Sequence, residues 1–301
     1  MIDQDHIDET ASDFVRKVKS LLPLYDARAV LNTDQCGLEL EVPSNRSLSY
    51  RGEKNTVASV RSINATTHSY TIQPTISLSG NLVGPVFVCL KELGGRMSER
   101  IRSNLPVLNN VVVTCSSSGK LTTSLVEYWL STCLVPSIST STLLLSDSWS
   151  GQGDKAGIYD SISGLKRLEI PKKTTSTIQP MDVFFNRQWK KIIRKAHERV
   201  VLDDIDVRLS QRNNILRLQS LVHNQLSSPM FSPMIRYAWF KSGYLSDDPG
   251  PFSSVIQVCF SFNQDFCDQS SCEAFSFIQC SYCRHVLCFE HFFLGYHTHG
   301  I

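Results

Sequence analysis

Six of the ten cysteines lie in the last 43 residues, interleaved with histidines, and this cluster constrains the chain more than any other feature. The run is Cys267-x4-Cys272-x7-Cys280-x2-Cys283-x4-Cys288-x2-His291-x5-His297-x1-His299. Eight soft or borderline ligands in four close pairs fit two tetrahedral zinc ions, since such zinc takes four Cys or His ligands, usually from two pairs. The N-terminus MIDQDHIDET is acidic with no apolar stretch, so a secretory leader is not expected and disulfides are disfavoured. Every ligand is Cys or His with no evident open position, which favours a structural metal over a catalytic one. So short a segment has little core of its own, so the metal supplies much of its folding energy. Phe275, Phe277, Phe289, Phe292 and Phe293 are expected to form its mini-core. Cys259 falls outside the pattern and reads as core, as do the scattered Cys36, Cys89, Cys115 and Cys133.

The remaining 256 or so residues carry a different pattern. With 42% apolar and 19% charged residues the chain can build a sizeable core. No window approaches the ~20 apolar residues of a membrane span. Net charge is +2, so bulk electrostatics does not by itself indicate nucleic acid. Residues 1–26 read as a short helix. Strand-like runs follow at Arg28–Asp34, Val57–Asn64, Ser69–Leu78, Val86–Leu90, Val111–Cys115 and Thr142–Asp147, with Leu165–Ile170 a further short run. Helices are expected at Thr122–Leu134, at Asn186–Val200, where Trp189, Ile192, Ile193, Ala196 and Val200 fall at helical spacing, and at Ile205–Asn224. Residues 227–256 read as a connector. The fold class is α/β.

Asp34 and Asp147 leave two apolar strands directly, and Asp182 sits just before the Asn186–Val200 helix. Carboxylates gathered within a few Å repel and need divalent cations to stay ionised. Such a cluster holds two Mg2+ or Mn2+ ions about 3.5–4 Å apart for attack on a phosphodiester. Each aspartate alone is more simply a cap or turn residue. Asp154 and Asp160 compete with Asp147, but Asp147 ends the apolar run and has Trp149 and Gly151 behind it. Asp203, Asp204 and Asp206 are expected to favour a helix start.

The segments LNTDQCGLELE, SINATTHSYTIQPTISLSG, LLLSDSWSG and IPKKTTSTIQPMDVFFNRQWK together resemble the DDE-superfamily transposases of the mariner and pogo-like kind. The last is the most specific: a proline, paired threonines, then Gln-Pro-hydrophobic-Asp and a helix. Thirty-four residues separate Asp147 from Asp182, a spacing typical of that family. The resemblance covers residues 27–205. It implies a ribonuclease-H-like mixed sheet with flanking helices, Asp34 on the first strand, Asp147 at the end of the fourth, and Asp182 at a helix start. The implied roles are catalytic metal ligation by Asp34, Asp147 and Asp182, on double-stranded DNA, in a homodimer as family members often are. His68 and Tyr70 of the THSY segment are expected either near the same site or packed in the core, and no role is assigned to them.

The second half of the tail resembles the AN-one type of zinc finger, with His299 where that class has Cys. Its alternating cross-brace implies one zinc on Cys267, Cys272, Cys288 and His291, and another on Cys280, Cys283, His297 and His299. A single zinc on Cys280, Cys283, Cys288 and His291 is the alternative. The chain thus divides into a tail at 1–26, a catalytic domain at 27–205, a helix and connector at 206–256, and a zinc module at 257–301.

Ten Lys or Arg lie between Lys166 and Arg199 against three acids. Beside the third aspartate, Lys172, Lys173, Arg187, Lys190, Lys191, Arg194 and Lys195 are candidates for phosphate contact. Mariner and pogo-like enzymes carry helix-turn-helix domains ahead of the catalytic domain, and residues 1–27 are too few for one. The function expected is a DDE endonuclease and transposase domain lacking that region, resident in the nucleus. The alternative is a truncated or domesticated, non-catalytic protein whose zinc finger binds nucleic acid or a protein partner.

Overall fold

The short apolar runs pair edge to edge, because strands of this length bury their backbone polar groups only in a shared sheet. A computed structural model describes residues 4–40, 69–138, 141–151 and 157–300. The expected strand Val57–Asn64, His68 and Asp154 lie outside them. The strands are β1 (Val30–Thr33), β2 (Cys36–Glu39), β3 (Ser69–Gln73), β4 (Thr75–Ser77), β5 (Val86–Lys91), β6 (Val111–Ser116), β7 (Thr142–Ser146) and β8 (Leu165–Glu169). They form two ladders, β4-β1-β7-β8 and β2-β3-β5-β6.

The two ladders continue each other. Thr33 lies opposite Thr75, and Cys36 opposite Ile72, in one antiparallel register. That register sets Asp34 against Pro74, which has no N–H to donate, so the ladder breaks at the first candidate aspartate. Thr33 Oγ1 bridges the gap by donating to the Pro74 carbonyl at 2.9 Å. β5 runs antiparallel to β3 and parallel to β6. β7 runs parallel to β1, and β8 parallel to β7. This is the mixed, ribonuclease-H-like sheet that the resemblance implies. One detail differs. Among the described residues, with the interrupted β1/β2 and β3/β4 each counted as one, the strand before Asp147 is the fifth in chain order, because β6 adds itself at the far edge.

Helices cover both faces. Residues Leu31, Phe87, Cys89 and Leu144 pack with Val126 and Trp129 of α3 (Thr123–Trp129), after α1 (Gln4–Leu21) and α2 (Glu99–Ser103) in chain order. On the other face Val30, Leu143 and Leu145 meet Phe14 and Val18 of α1. Cys36, Leu38, Ile72 and Val88 meet two longer helices that follow α4 (Thr175–Ile178). These are α5 (Asn186–Leu202), entered through a helical turn at Met181–Phe185, and α6 (Arg212–Leu226). The expected stripe of Trp189, Ile192, Ile193, Ala196 and Val200 is buried.

Three sequence expectations change here. Asp203 and Asp204 end α5 rather than start a helix: Asp203 pairs with Arg199 at 2.8 Å and Asp204 turns the chain at φ +48. Asp206 follows them in the loop before α6. The connector contains α7 (Ser232–Lys241), because Pro233 is tolerated in a first turn and Met234, Ile235, Ala238 and Trp239 make a buried helical stripe. Finally, the C-terminal phenylalanines do not form a separate mini-core. The C-terminal segment holds α8 (Val255–Cys259) and the hairpin of β9 (Ile278–Gln279) and β10 (Val286–Leu287), and its Phe277, Phe289, Phe292 and Phe293 join one apolar cluster with Trp189, Ile193 and Leu221. Phe275 stays 66% exposed and stacks on Phe266.

Candidate active site and metal centres

β1 and β7 are parallel neighbours with Asn32 opposite Leu145. Asp34 and Asp147 each lie two residues further on, so strand alternation sends both toward the face of Val30, Asn32, Leu143 and Leu145. That face is where the third aspartate arrives. Asn32 is fully buried, donates from Nδ2 to the Leu145 carbonyl at 3.0 Å, and accepts from the Met181 N–H at 3.0 Å. One carboxamide thereby ties both strands to the turn carrying Asp182.

Asp34 is 8% exposed. Burial, the Asp182 charge and a hydrogen bond with Asp182 push its carboxyl well above the usual range, against the Gln35 N–H and Asn186. Asn186 Nδ2 donates to Asp34 Oδ2 at 3.0 Å. Two like charges this close are the arrangement a divalent cation relieves. Asp147 stands apart: among the described residues, no trio of carboxylates has its oxygens within 4.8 Å of one another. Its Oδ1 accepts the Ser148 N–H at 2.6 Å, and Arg167 donates to its carbonyl at 3.1 Å and to Ser146 Oγ at 2.8 Å. The oxygen-only donor set suits hard Mg2+ or Mn2+. Asp160 is exposed in the loop between β7 and β8.

The cysteines and histidines gather into two groups whose ligand atoms lie within 4.8 Å of one another: Cys267, Cys272, Cys288 and His291, and Cys280, Cys283, His297 and His299. These are the quartets of the alternating cross-brace; the single-zinc set draws from both. Their spacing can be tested against zinc. With Zn–S of ~2.3 Å and Zn–N of ~2.0 Å, a tetrahedron has S–N edges of about 3.5 Å and N–N edges of about 3.3 Å. His291 Nδ1 lies 3.3 Å from Cys267 Sγ and 3.2 Å from Cys288 Sγ. In the second quartet Cys283 Sγ to His297 Nε2 is 3.5 Å, Cys280 Sγ to His299 Nε2 is 3.2 Å, and the two histidine nitrogens are 3.1 Å apart. The residues fit the metal.

The second quartet is fastened to α6. Burial alone would raise the Cys280 thiol, yet hydrogen bonds from His297, the backbone at Cys283 and Tyr282, and Gln225 hold it down at about 5. Asn224 Nδ2 donates to the His299 carbonyl at 2.8 Å.

The basic residues divide. Lys172 and Lys173 are exposed in the turn before α4, and Arg187, Lys190 and Arg194 are exposed at helical spacing along α5. Lys190 also reaches the buried Cys36 thiol. Lys191 donates to Gln188 at 3.3 Å, and Lys195 pairs with Glu198 at 2.9 Å. Arg199 turns inward, donating to the Ser276 carbonyl at 2.8 Å. Tyr70 is buried, its hydroxyl accepting from Gln219 at 2.7 Å. Asn186 and Arg167 were not singled out from sequence. For Asn186 the signal was there, one helical turn beyond Asp182; for Arg167 there was none, since its partners lie on another strand.

Residues 239–299 match the Tc5 transposase C-terminal domain. The matched segment begins in α7 and includes both Cys/His quartets. No curated protein matches the chain. Solved structures with a similar fold include the Mos1 strand transfer complex, at 8% identity and a TM-score of 0.42 over 80% of this chain and 63% of that one. The mariner Mos1 paired-end complex with Mg is similar at 10% identity and a TM-score of 0.42, over 84% and 64%. A pre-cleavage Mos1 transpososome gives 7% and 0.43, over 80% and 64%. The chain spans less than two thirds of the length of these Mos1 chains. Among the described residues, no helix is long and apolar enough to cross a membrane.

Proposed function

We propose that this chain is a transposon-derived DDE endonuclease and strand-transferase domain acting on double-stranded DNA, with Asp34, Asp147 and Asp182 as its catalytic carboxylates. The observation that carries the reading is the convergence of two parallel strand ends and one helix entry on a single face, through the buried carboxamide of Asn32. Mg2+ or Mn2+ bound there would supply charge neutralisation at the scissile phosphodiester. The chain's own part is positioning. Pro74 opens the ladder at Asp34, Asn186 fixes that carboxylate, and Arg167 holds the backbone at Asp147. Lys172, Lys173, Arg187, Lys190 and Arg194 would take the phosphates flanking the cut; Lys191 and Lys195, each already engaged, add to the same field.

Two structural zinc ions would hold the C-terminal segment, one on each quartet, leaving its surface to a protein partner. Nuclear residence and a homodimer belong to the same reading, as do the boundaries at residues 26, 205 and 256. The test is nicking of supercoiled plasmid by the zinc-loaded protein with Mg2+ or Mn2+. Activity is expected in the wild type and background alone in Asp34→Ala, Asp147→Ala and Asp182→Ala. A folded wild type that never nicks would move the function to non-catalytic nucleic-acid or protein binding.

A further inference from the structure

We infer that Asn186 is a fourth member of the carboxylate centre, fixing Asp34 with its nitrogen and offering its Oδ1 as a neutral oxygen to the cation shared by Asp34 and Asp182. The inference rests on the metal reading of the aspartates. Asn186 is 9% exposed, and its Nδ2 donates to Asp34 Oδ2 at 3.0 Å. The nitrogen is the end that donates to Asp34, so the oxygen is the end left over. That Oδ1 is buried and, among the described residues, has no hydrogen-bond partner. Buried amide oxygens are nearly always partnered, so an orphan held against a carboxylate calls for an occupant.

The sequence places it there. Asn186 follows Asp182 by four residues, one helical turn, so the two share a face. The wider turn at Met181–Phe185 leads directly into α5, which Asn186 opens. Gln73 and Gln179 are also buried with unpartnered carboxamides, but neither is anchored at one end to a carboxylate. Amide oxygens are ordinary ligands of hard divalent cations. A neutral one also adds nothing to the repulsion between Asp34 and Asp182, which an aspartate at this buried position would increase.

The experiment is Mn2+ titration of the full-length, zinc-loaded protein, following free Mn2+ by its EPR signal. Zinc content and near-ultraviolet circular dichroism serve as controls for folding. Asn186→Ala is expected to weaken Mn2+ binding about 10–100-fold, as loss of a supporting ligand does. Asn186→Asp keeps an oxygen for the cation but loses the donor to Asp34, so it should bind Mn2+ more tightly than Asn186→Ala. Asp34→Asn should abolish the site. Binding that is sensitive to Asp34→Asn but untouched by Asn186→Ala overturns the inference alone. Asn186→Asp as weak as Asn186→Ala overturns the ligand role. A wild type without Mn2+ binding, or one indifferent to Asp34→Asn, removes the metal reading and the inference with it. Should Asn186→Ala not fold, Asn186→Gln displaces the same amide by one methylene, and unchanged affinity there overturns the inference.

Discussion

Gln225 on α6 joins the second Cys/His quartet to the body of the protein, and replacing it with leucine should be costly. Its side chain is fully buried. Oε1 accepts from the Ser281 N–H at 2.8 Å and from Ser281 Oγ at 2.9 Å, and Nε2 donates to Cys280 Sγ at 3.6 Å. Leucine nearly conserves the volume, so little cavity forms, and the loss is in hydrogen bonding. Ser281 Oγ keeps the Gln225 backbone carbonyl at 2.9 Å. The Ser281 N–H keeps nothing, and an unsatisfied buried donor costs about 1–3 kcal/mol. The long bond to sulfur adds roughly 1 kcal/mol at most, giving a total of about 3 kcal/mol. Guanidinium unfolding of the zinc-loaded protein at pH 7 measures this as a lower midpoint at constant slope. Gln279→Leu is the control, because its bond to the Arg284 carbonyl is exposed. That substitution should stay within about 0.5 kcal/mol. A loss below about 1 kcal/mol for Gln225→Leu, with zinc content unchanged, would refute the claim that this amide secures the segment.

Stability should also fall in acid through His197, whose buried ring is pushed down to about 4. The unfolded chain takes up that proton near pH 6.5 and the folded chain only near 4, so stability drops as pH falls through this window. The loss is about 2 kcal/mol by pH 5, and His197→Leu should remove that part of the difference between urea melts at pH 7 and pH 5. On DNA, Arg187→Ala and Arg194→Ala should each reduce the slope of log affinity against log salt by about 0.9. Arg199→Ala should leave that slope unchanged while lowering thermal stability, since Arg199 bonds Asp203 and the Ser276 carbonyl instead of facing outward.

Local order was legible in the residues, because it is written in local spacing. The α5 stripe repeats at helical period, and the runs before Asp34 and Asp147 each carry three consecutive apolar residues, Ala29–Leu31 and Leu143–Leu145. The pairing of cysteines with histidines sets which ligand atoms a short tail can bring together. Helix α7 was missed because Ser, Pro and Gly nearby outweighed a stripe of only four apolar residues, and its decisive contact, Trp239 Nε1 to the Ser77 carbonyl at 2.9 Å, spans 162 positions.

Only the folded chain decided the rest. Nothing local says that Pro74 faces Asp34, that Asn32 ties Leu145 to Met181, or that the C-terminal phenylalanines share a core with α5 and α6. Arg199 and Arg194 belong to the same run of basic residues, yet one is consumed by the Ser276 carbonyl and the other is exposed. The sequence by itself determined which residue types stand at the strand ends and in the tail, and the period of the elements that hold them. The tertiary structure decided which of them meet. Side-chain type and periodicity act over a few residues, whereas register, burial and hydrogen-bond partners come from segments far apart in the chain, chosen by packing the whole.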